Sequence, residues 1–124
     1  MALQIRKSDE GESVERTGAA IFEGGAVHGR ELIAGGAGRD FSASVLQFSP
    51  GARTRPHRHT SDQLLYVVAG IGKVGDADGE HVISVGDAVL IPADTEHWHG
   101  AADTTSPMAH ISFLRADSQT TVSG

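Results

Sequence analysis

From Phe41 to the carboxy terminus, apolar runs of strand length recur between glycine- and proline-marked turns, and no helical-length window shows a convincing 3.6-residue period. The series reads 41–48, the SPGAR turn, 63–69, GIG, 73–77, the DADGE turn, 81–85, the VGD turn, 88–91, PADTE, 97–99 and 108–115. Short strands joined this tightly predict an all-β sandwich or closed barrel, architectures that hide sheet edges. Sixteen glycines in 124 residues suit such a turn-rich chain, and that length supports one hydrophobic core. Residues 1–16 are polar and charged without a sustained period, so they read as a flexible or loosely docked arm ahead of a domain at 17–124. Between Thr17 and Asp40, short apolar pieces (19–22 and 32–34) among Gly35, Gly36 and Gly38 suggest further short strands.

The formal charge of −6, with basic residues scattered rather than striped, argues against nucleic acid and anionic membrane surfaces as partners. The absence of cysteine removes disulfides, thiolate metal sites and cysteine nucleophiles. The amino terminus lacks an apolar core of signal-peptide length, and no run approaches the ~20 apolar residues of a membrane span. The expectation is a soluble cytoplasmic protein.

One strand bears on assembly. Along 63–69, Gln63, Leu65 and Val67 share one face while Leu64, Tyr66 and Val68 share the other, so both faces are largely apolar. A barrel wall facing water should be polar outside, so the second face is expected to pack in a homodimer, or else to be covered within the chain.

Four of the seven histidines fall into two H-x-H pairs, His57/His59 and His97/His99. Residues i and i+2 of a strand project to the same side, so each pair can present two imidazoles to one point, and Gln63 can follow from the next strand. Neutral imidazole suits zinc, copper, nickel or iron, and an added amide oxygen moves a site toward harder ions such as Mn²⁺. A lone H-x-H pair is as often a surface feature or a buried hydrogen-bonding group. Here, however, both pairs sit in glycine and proline frames: Gly51 and Gly70 around the first, Gly86 and Pro92 ahead of the second.

These frames resemble the two motifs of the cupin superfamily, G-x5-H-x-H-x3,4-E-x6-G and G-x5-P-x-G-x2-H-x3-N. The segment GARTRPHRHTSDQLLYVVAG matches the first except that Gln63 replaces glutamate. GDAVLIPADTEHWHGA matches the second at Gly86, Pro92 and His97, while Asp94 replaces the glycine and Ala101 the asparagine. The resemblance implies a jelly-roll barrel, or double-stranded β-helix. In its mouth would sit one divalent transition metal held by His57, His59, Gln63 and His97. The GART, H-x-H, Gln63 and HWHGA elements together with His110 are more specifically similar to small manganese-dependent cupins with hydroxynitrile lyase activity. That implies manganese first, with iron, nickel, zinc or cobalt as alternatives. Gln63 in place of a carboxylate would leave the ion more positive, a stronger Lewis acid and less tightly held.

His99 shares the face of His97, where it could be a general base or a residue that positions ligands. His110 is either a pocket residue or a hydrogen-bonded core histidine. Arg55 has the parity of His57 and could clamp an anion, but a solvated rim arginine is the favoured reading because Pro56 can break the alternation. Trp98 should point away from the ion, Asp62 and Glu96 read as surface charges, and His28 and His81 receive no role. The leading expectation is a metal-dependent lyase acting on a small molecule, with His99 and His110 moving protons. The alternatives are an Fe²⁺ dioxygenase and a non-catalytic small-molecule binding or sensing barrel.

Overall fold

The computed structural model describes residues 3–33, 38–101, 103 and 105–124. Ala34, Gly35 and Gly36 of the first glycine-rich stretch, and Ala102 after the HWHGA element, lie outside the described residues. Among the described residues the regular structure is all strand: β1 Val14–Glu15, β2 Phe22–Glu23, β3 Val27–Glu31, β4 Phe41–Phe48, β5 Arg53–Thr54 and β6 His57–His59, followed by β7 Gln63–Asp76, β8 Gly79–Ser84, β9 Ala88–Ile91, β10 Trp98–Ala101, β11 Met108–Arg115 and β12 Thr120–Val122. No helix among these residues is long and apolar enough to cross a membrane.

The main sheet runs in the order β1-β3-β4-β11-β7-β10-β5-β2, with β8 and β9 also pairing with β7, while β12 pairs with β6. All of the pairings are antiparallel. The pivot is β7: its first half pairs with β11 and β9, and its second half with β8 and β10. The sequence expectation of a break at GIG is therefore corrected, because 63–69 and 73–77 lie on or beside one continuous strand. Gly70 has φ +71° and a Cβ there would meet the Pro107 carbonyl oxygen at 1.8 Å, while β11 slips register opposite, between Ala109 and His110. Glycine here bends the strand from one wall of the barrel into the other, as a bulge, and does not reverse the chain.

Alternation along the strands separates the faces. Leu65, Val67, Phe48, Val27 and Met108 point inward and are fully buried, each contributing roughly 1.5–3 kcal/mol of hydrophobic stabilisation. Val74, Ile83, Ile91, Phe22, Ala52 and Ala101 belong to the same core. The outward residues of β7 remain open, with Leu64, Tyr66 and Val68 at 39%, 42% and 41% exposure and Leu90 of β9 beside them at 64%. The apolar outer face read from the sequence is thus not covered within the described chain.

At the other edge, β1 pairs with β3 through Val14 opposite Gly29 and Glu15 opposite His28. Ahead of β1, the Arg30 guanidinium donates to the carbonyls of Lys7 and Glu10, which lays the amino-terminal segment against β3.

Candidate metal centre

Each candidate ligand is aimed by a backbone device. His57 and His59 alternate on β6 with Arg58, whose guanidinium turns outward to Glu96 at 3.1 Å. His57 and His97 exchange both backbone hydrogen bonds at 2.9 Å, so the two chain segments are tied at the site. Asp94, where the resembled motif has glycine, has φ +63° and donates its N–H to the His59 carbonyl at 2.8 Å. Aspartate is among the few side chains that tolerate this left-handed conformation, which explains how the motif's turn survives the substitution.

The side chains converge. One ring nitrogen from each of His57, His59 and His97 lies within 4.8 Å of the others, and all three residues are buried. His57 Nδ1 donates to the Arg55 carbonyl at 2.7 Å and His97 Nδ1 to the Thr95 carbonyl at 2.8 Å, which leaves the Nε2 lone pair of each free. His59 Nδ1 lies 2.7 Å from Thr120 Oγ1, and His59 Nε2 is buried without a hydrogen-bond partner. The Gln63 amide donates to Ser112 Oγ at 2.8 Å, so its Oε1 faces inward, 3.1 Å from His97 Nε2. Two lone pairs held at that separation repel unless a cation lies between them. Ligands bound at right angles with bonds of about 2.1 Å are also about 3 Å apart. These residues fit a divalent transition-metal ion.

A second histidine pair abuts this cluster. His99 stacks on His97 with ring centroids 5.7 Å apart and lies 5.4 Å from the His57 ring. Its Nδ1 is hydrogen-bonded to His110 Nε2 at 2.9 Å, and both residues are buried. Thr54 Oγ1 accepts the His99 backbone N–H at 3.1 Å, fixing β10 at that residue. His99 Nε2 and His110 Nδ1 are buried without partners among the described residues.

Burial pushes the imidazoles toward neutrality: His57, His59 and His110 titrate at about 4, and His97 and His99 also lie below the ordinary histidine value. Desolvation is the main cause in each, opposed at His57 by its bond to Arg55 and reinforced at His59 by the neighbouring His97 charge. In the metal-free protein this makes stability pH-dependent. The unfolded chain takes up these protons near pH 6.5, whereas the folded chain does so only near 4, so acid favours unfolding across that window. A difference of one unit between the two states is worth about 1.4 kcal/mol, so the fully enclosed His110 alone should cost about 2 kcal/mol or more. Thermal melts of chelator-treated protein should fall by roughly 10 °C from pH 7 to pH 4.5. A flat profile would mean that these imidazoles are not held neutral.

Other expectations fare differently. The Arg55 guanidinium lies on the rim, 3.6 Å from Glu23, because Arg55 and Pro56 separate β5 from β6; the anion-clamp option is not what the structure shows. Trp98 is half-buried beneath the Arg53 guanidinium, 4.9 Å from its ring centroid, away from the histidines. Glu96 pairs with Arg58 as a surface charge, whereas Asp62 also accepts the Ala93 N–H at 2.9 Å and so shapes the turn before Asp94. His28 and His81 lie outside the cluster, on β3 and β8. Thr120 was not legible as a site residue, since nothing local marks a threonine that meets His59 from 61 positions away.

The family model for the Cupin domain matches residues 44–113. Over 90 residues, 71% of this chain and 59% of the other, the sequence is 37% identical to dimethylsulfoniopropionate lyase DddW of Ruegeria pomeroyi. Over 75 residues, 58% and 55% of the two chains, it is 46% identical to (R)-mandelonitrile lyase of Granulicella tundricola. The matches thus span less than two thirds of either relative's length. Among solved structures, a cupin-like protein of Thermotoga maritima aligns with a TM-score of 0.80 at 28% identity, covering 94% of this chain and 86% of that one. The polyketide cyclase RemF of Streptomyces resistomycificus shares the fold at a TM-score of 0.77 and 18% identity, covering 95% and 82%.

Proposed function

The chain belongs to the cupin family, and on that scaffold we propose a metal-dependent lyase that cleaves an α-hydroxynitrile to a carbonyl compound and hydrogen cyanide. The observation that carries this reading is the buried His99–His110 pair, whose unpartnered His99 Nε2 lies against the His57, His59 and His97 cluster. His57, His59 and His97 through Nε2 and Gln63 through Oε1 would hold the ion, with manganese proposed first and iron, nickel, zinc or cobalt as the other candidates. When bound, a divalent ion there supplies a Lewis acid for the substrate oxygen.

The chain's own residues handle the proton. His110 Nε2, accepting the His99 Nδ1–H, leaves the lone pair of His99 Nε2 free to act as a base. His99 Nε2 takes the substrate hydroxyl proton, the C–O bond becomes C=O, and the bond to the nitrile carbon breaks with its electron pair leaving as cyanide. The His99 imidazolium then returns the proton to cyanide, so atoms and charge balance. His110 shares the transient charge in a site too buried to hydrate it. The match to a dimethylsulfoniopropionate lyase supports a second reading, in which the same base removes a proton from the carbon next to the carboxylate, that electron pair forms C=C, and the C–S bond breaks with dimethyl sulfide leaving and acrylate remaining.

The test is cyanide release from mandelonitrile by protein of measured metal content, beside parallel assays of dimethylsulfoniopropionate cleavage and oxygen consumption. Cyanide release that disappears with chelator and returns with metal is expected. Oxygen uptake without cyanide release would replace the reading with a dioxygenase, and inactivity in every assay would favour a binding or sensing barrel.

Assembly follows from the open face of β7. A second copy covering Leu64, Tyr66, Val68 and Leu90 about a two-fold axis would remove these side chains from water. Sedimentation should give a dimer, and the double change Leu64→Lys with Tyr66→Lys should give a folded monomer. A monomeric parent would end the idea.

A further inference from the structure

A cavity of about 440 Å³ opens on the inner face of β3 and β4, with Ser44 and Leu46 in its wall and Arg6, Arg16 and Arg30 around it; no histidine lines it, and Leu46 is the wall residue opposite His110. Its relation to the site follows from strand register. Gly29 of β3, Leu46 of β4, His110 of β11 and Val67 of β7 are successive cross-strand partners. Directly opposed residues share a face, so the four form one row across the inner wall. Ser44 is likewise opposite Ser112, the residue that holds Gln63. Strands lie about 4.8 Å apart, which puts Gly29 about 10 Å from His110.

With no Cβ at Gly29, the Leu46 and Arg16 side chains share the end of that row: a Cβ there would lie 3.3 Å from Leu46 Cδ2, 3.5 Å from Arg16 Cγ and 3.9 Å from Arg16 Nη1. The start of the Arg16 side chain is fixed by the bond from its backbone N–H to the Val27 carbonyl at 2.7 Å. Among the described residues, neither Arg6 nor Arg16 forms an ion pair or side-chain hydrogen bond, although Glu12 and Glu31 also border the cavity. Arg30 instead spends its N–H groups on the Lys7 and Glu10 carbonyls. Three guanidinium groups against two carboxylates leave the cavity net positive in a chain whose overall charge is −6.

We propose that Arg16, assisted by Arg6, is an anion subsite, and that the ligand of this barrel is a small organic acid with its carboxylate at the arginines and its reacting group at the histidines. The chemistry at the histidine end rests on the lyase reading, whereas the recognition of the acid does not. Guanidinium binds carboxylate through paired, charge-assisted hydrogen bonds. A span of about 10 Å, less the reach of the arginine, matches a single substituted aromatic ring. The cavity volume is in the usual range for small-molecule sites.

The experiment is calorimetric titration of the metal-loaded protein with 4-formylbenzoate and, separately, with benzaldehyde, which differs only in lacking the carboxylate. The expected result is binding of the acid at least ~10-fold tighter, weakened by added salt, with most of the preference lost in Arg16→Gln. Arg16→Lys should retain part of it, and melting curves verify that each variant is folded. Equal binding of the two compounds, or a preference untouched in the folded Arg16→Gln, Arg6→Gln double variant, overturns the proposal. A preference for the acid in a protein that cleaves no hydroxynitrile would sink the lyase reading and leave the subsite standing; cleavage without the preference would do the reverse.

Discussion

His59→Ala is expected to emerge from purification and dialysis with less than ~0.1 equivalents of transition metal, against about one for the parent, and with no metal-dependent activity. The physical reason is the economy of the donor set. Three imidazole nitrogens and one amide oxygen carry no net charge when neutral, so no carboxylate compensates for a lost ligand by Coulomb attraction. His59 is the donor whose Nε2 has no other partner in its buried surroundings, and its ring is held by Thr120. Loss of a residue that merely orients a metal ligand typically weakens affinity 10–100-fold, and loss of the ligand itself should exceed that. The measurement is elemental analysis with an activity assay on the same sample, after a melting curve shows that the variant is folded. Stoichiometric metal in folded His59→Ala would show that the ion sits elsewhere.

How much of this was legible in the sequence depended on whether the signal was local. Strands Phe41–Phe48, Ala88–Ile91 and Met108–Arg115 coincide with apolar runs bounded by turn residues, because strand formation and termination there are decided by neighbours in sequence. The two H-x-H pairs were equally visible, since a period of two fixes which side chains share a face. What stayed hidden is non-local. The GIG segment looks like a turn, yet Gly70 bends within β7 because the Pro107 carbonyl occupies the place of a side chain. Thr120 meets His59 only because β12 pairs with β6, and Arg16, just past β1, lies against Gly29 only because β1 pairs with β3. Asp94 shows the converse: it departs from the motif in sequence and keeps the motif's geometry, since the turn requires a conformation and not a residue type.

The histidine pair beyond the cluster carries the other large effect. His99→Ala should keep its metal while kcat for hydroxynitrile cleavage falls ~10²–10⁴-fold, the usual contribution of a positioned general base. KM should change little, because the Nε2 atoms and the Gln63 oxygen that would bind the substrate-bearing ion are held by Arg55, Thr95, Thr120 and Ser112, not by His99. Truncation also leaves His110 Nε2 without its bond, at a cost of about 1–3 kcal/mol in stability, so the assay belongs well below the variant's melting temperature. His110→Ala separates the roles. It should leave the base in place but deprive its charge of a partner, so the rate should fall by less than in His99→Ala. Unchanged kinetics in metal-replete His99→Ala would remove the pair from the chemistry and leave it as packing for the metal ligands.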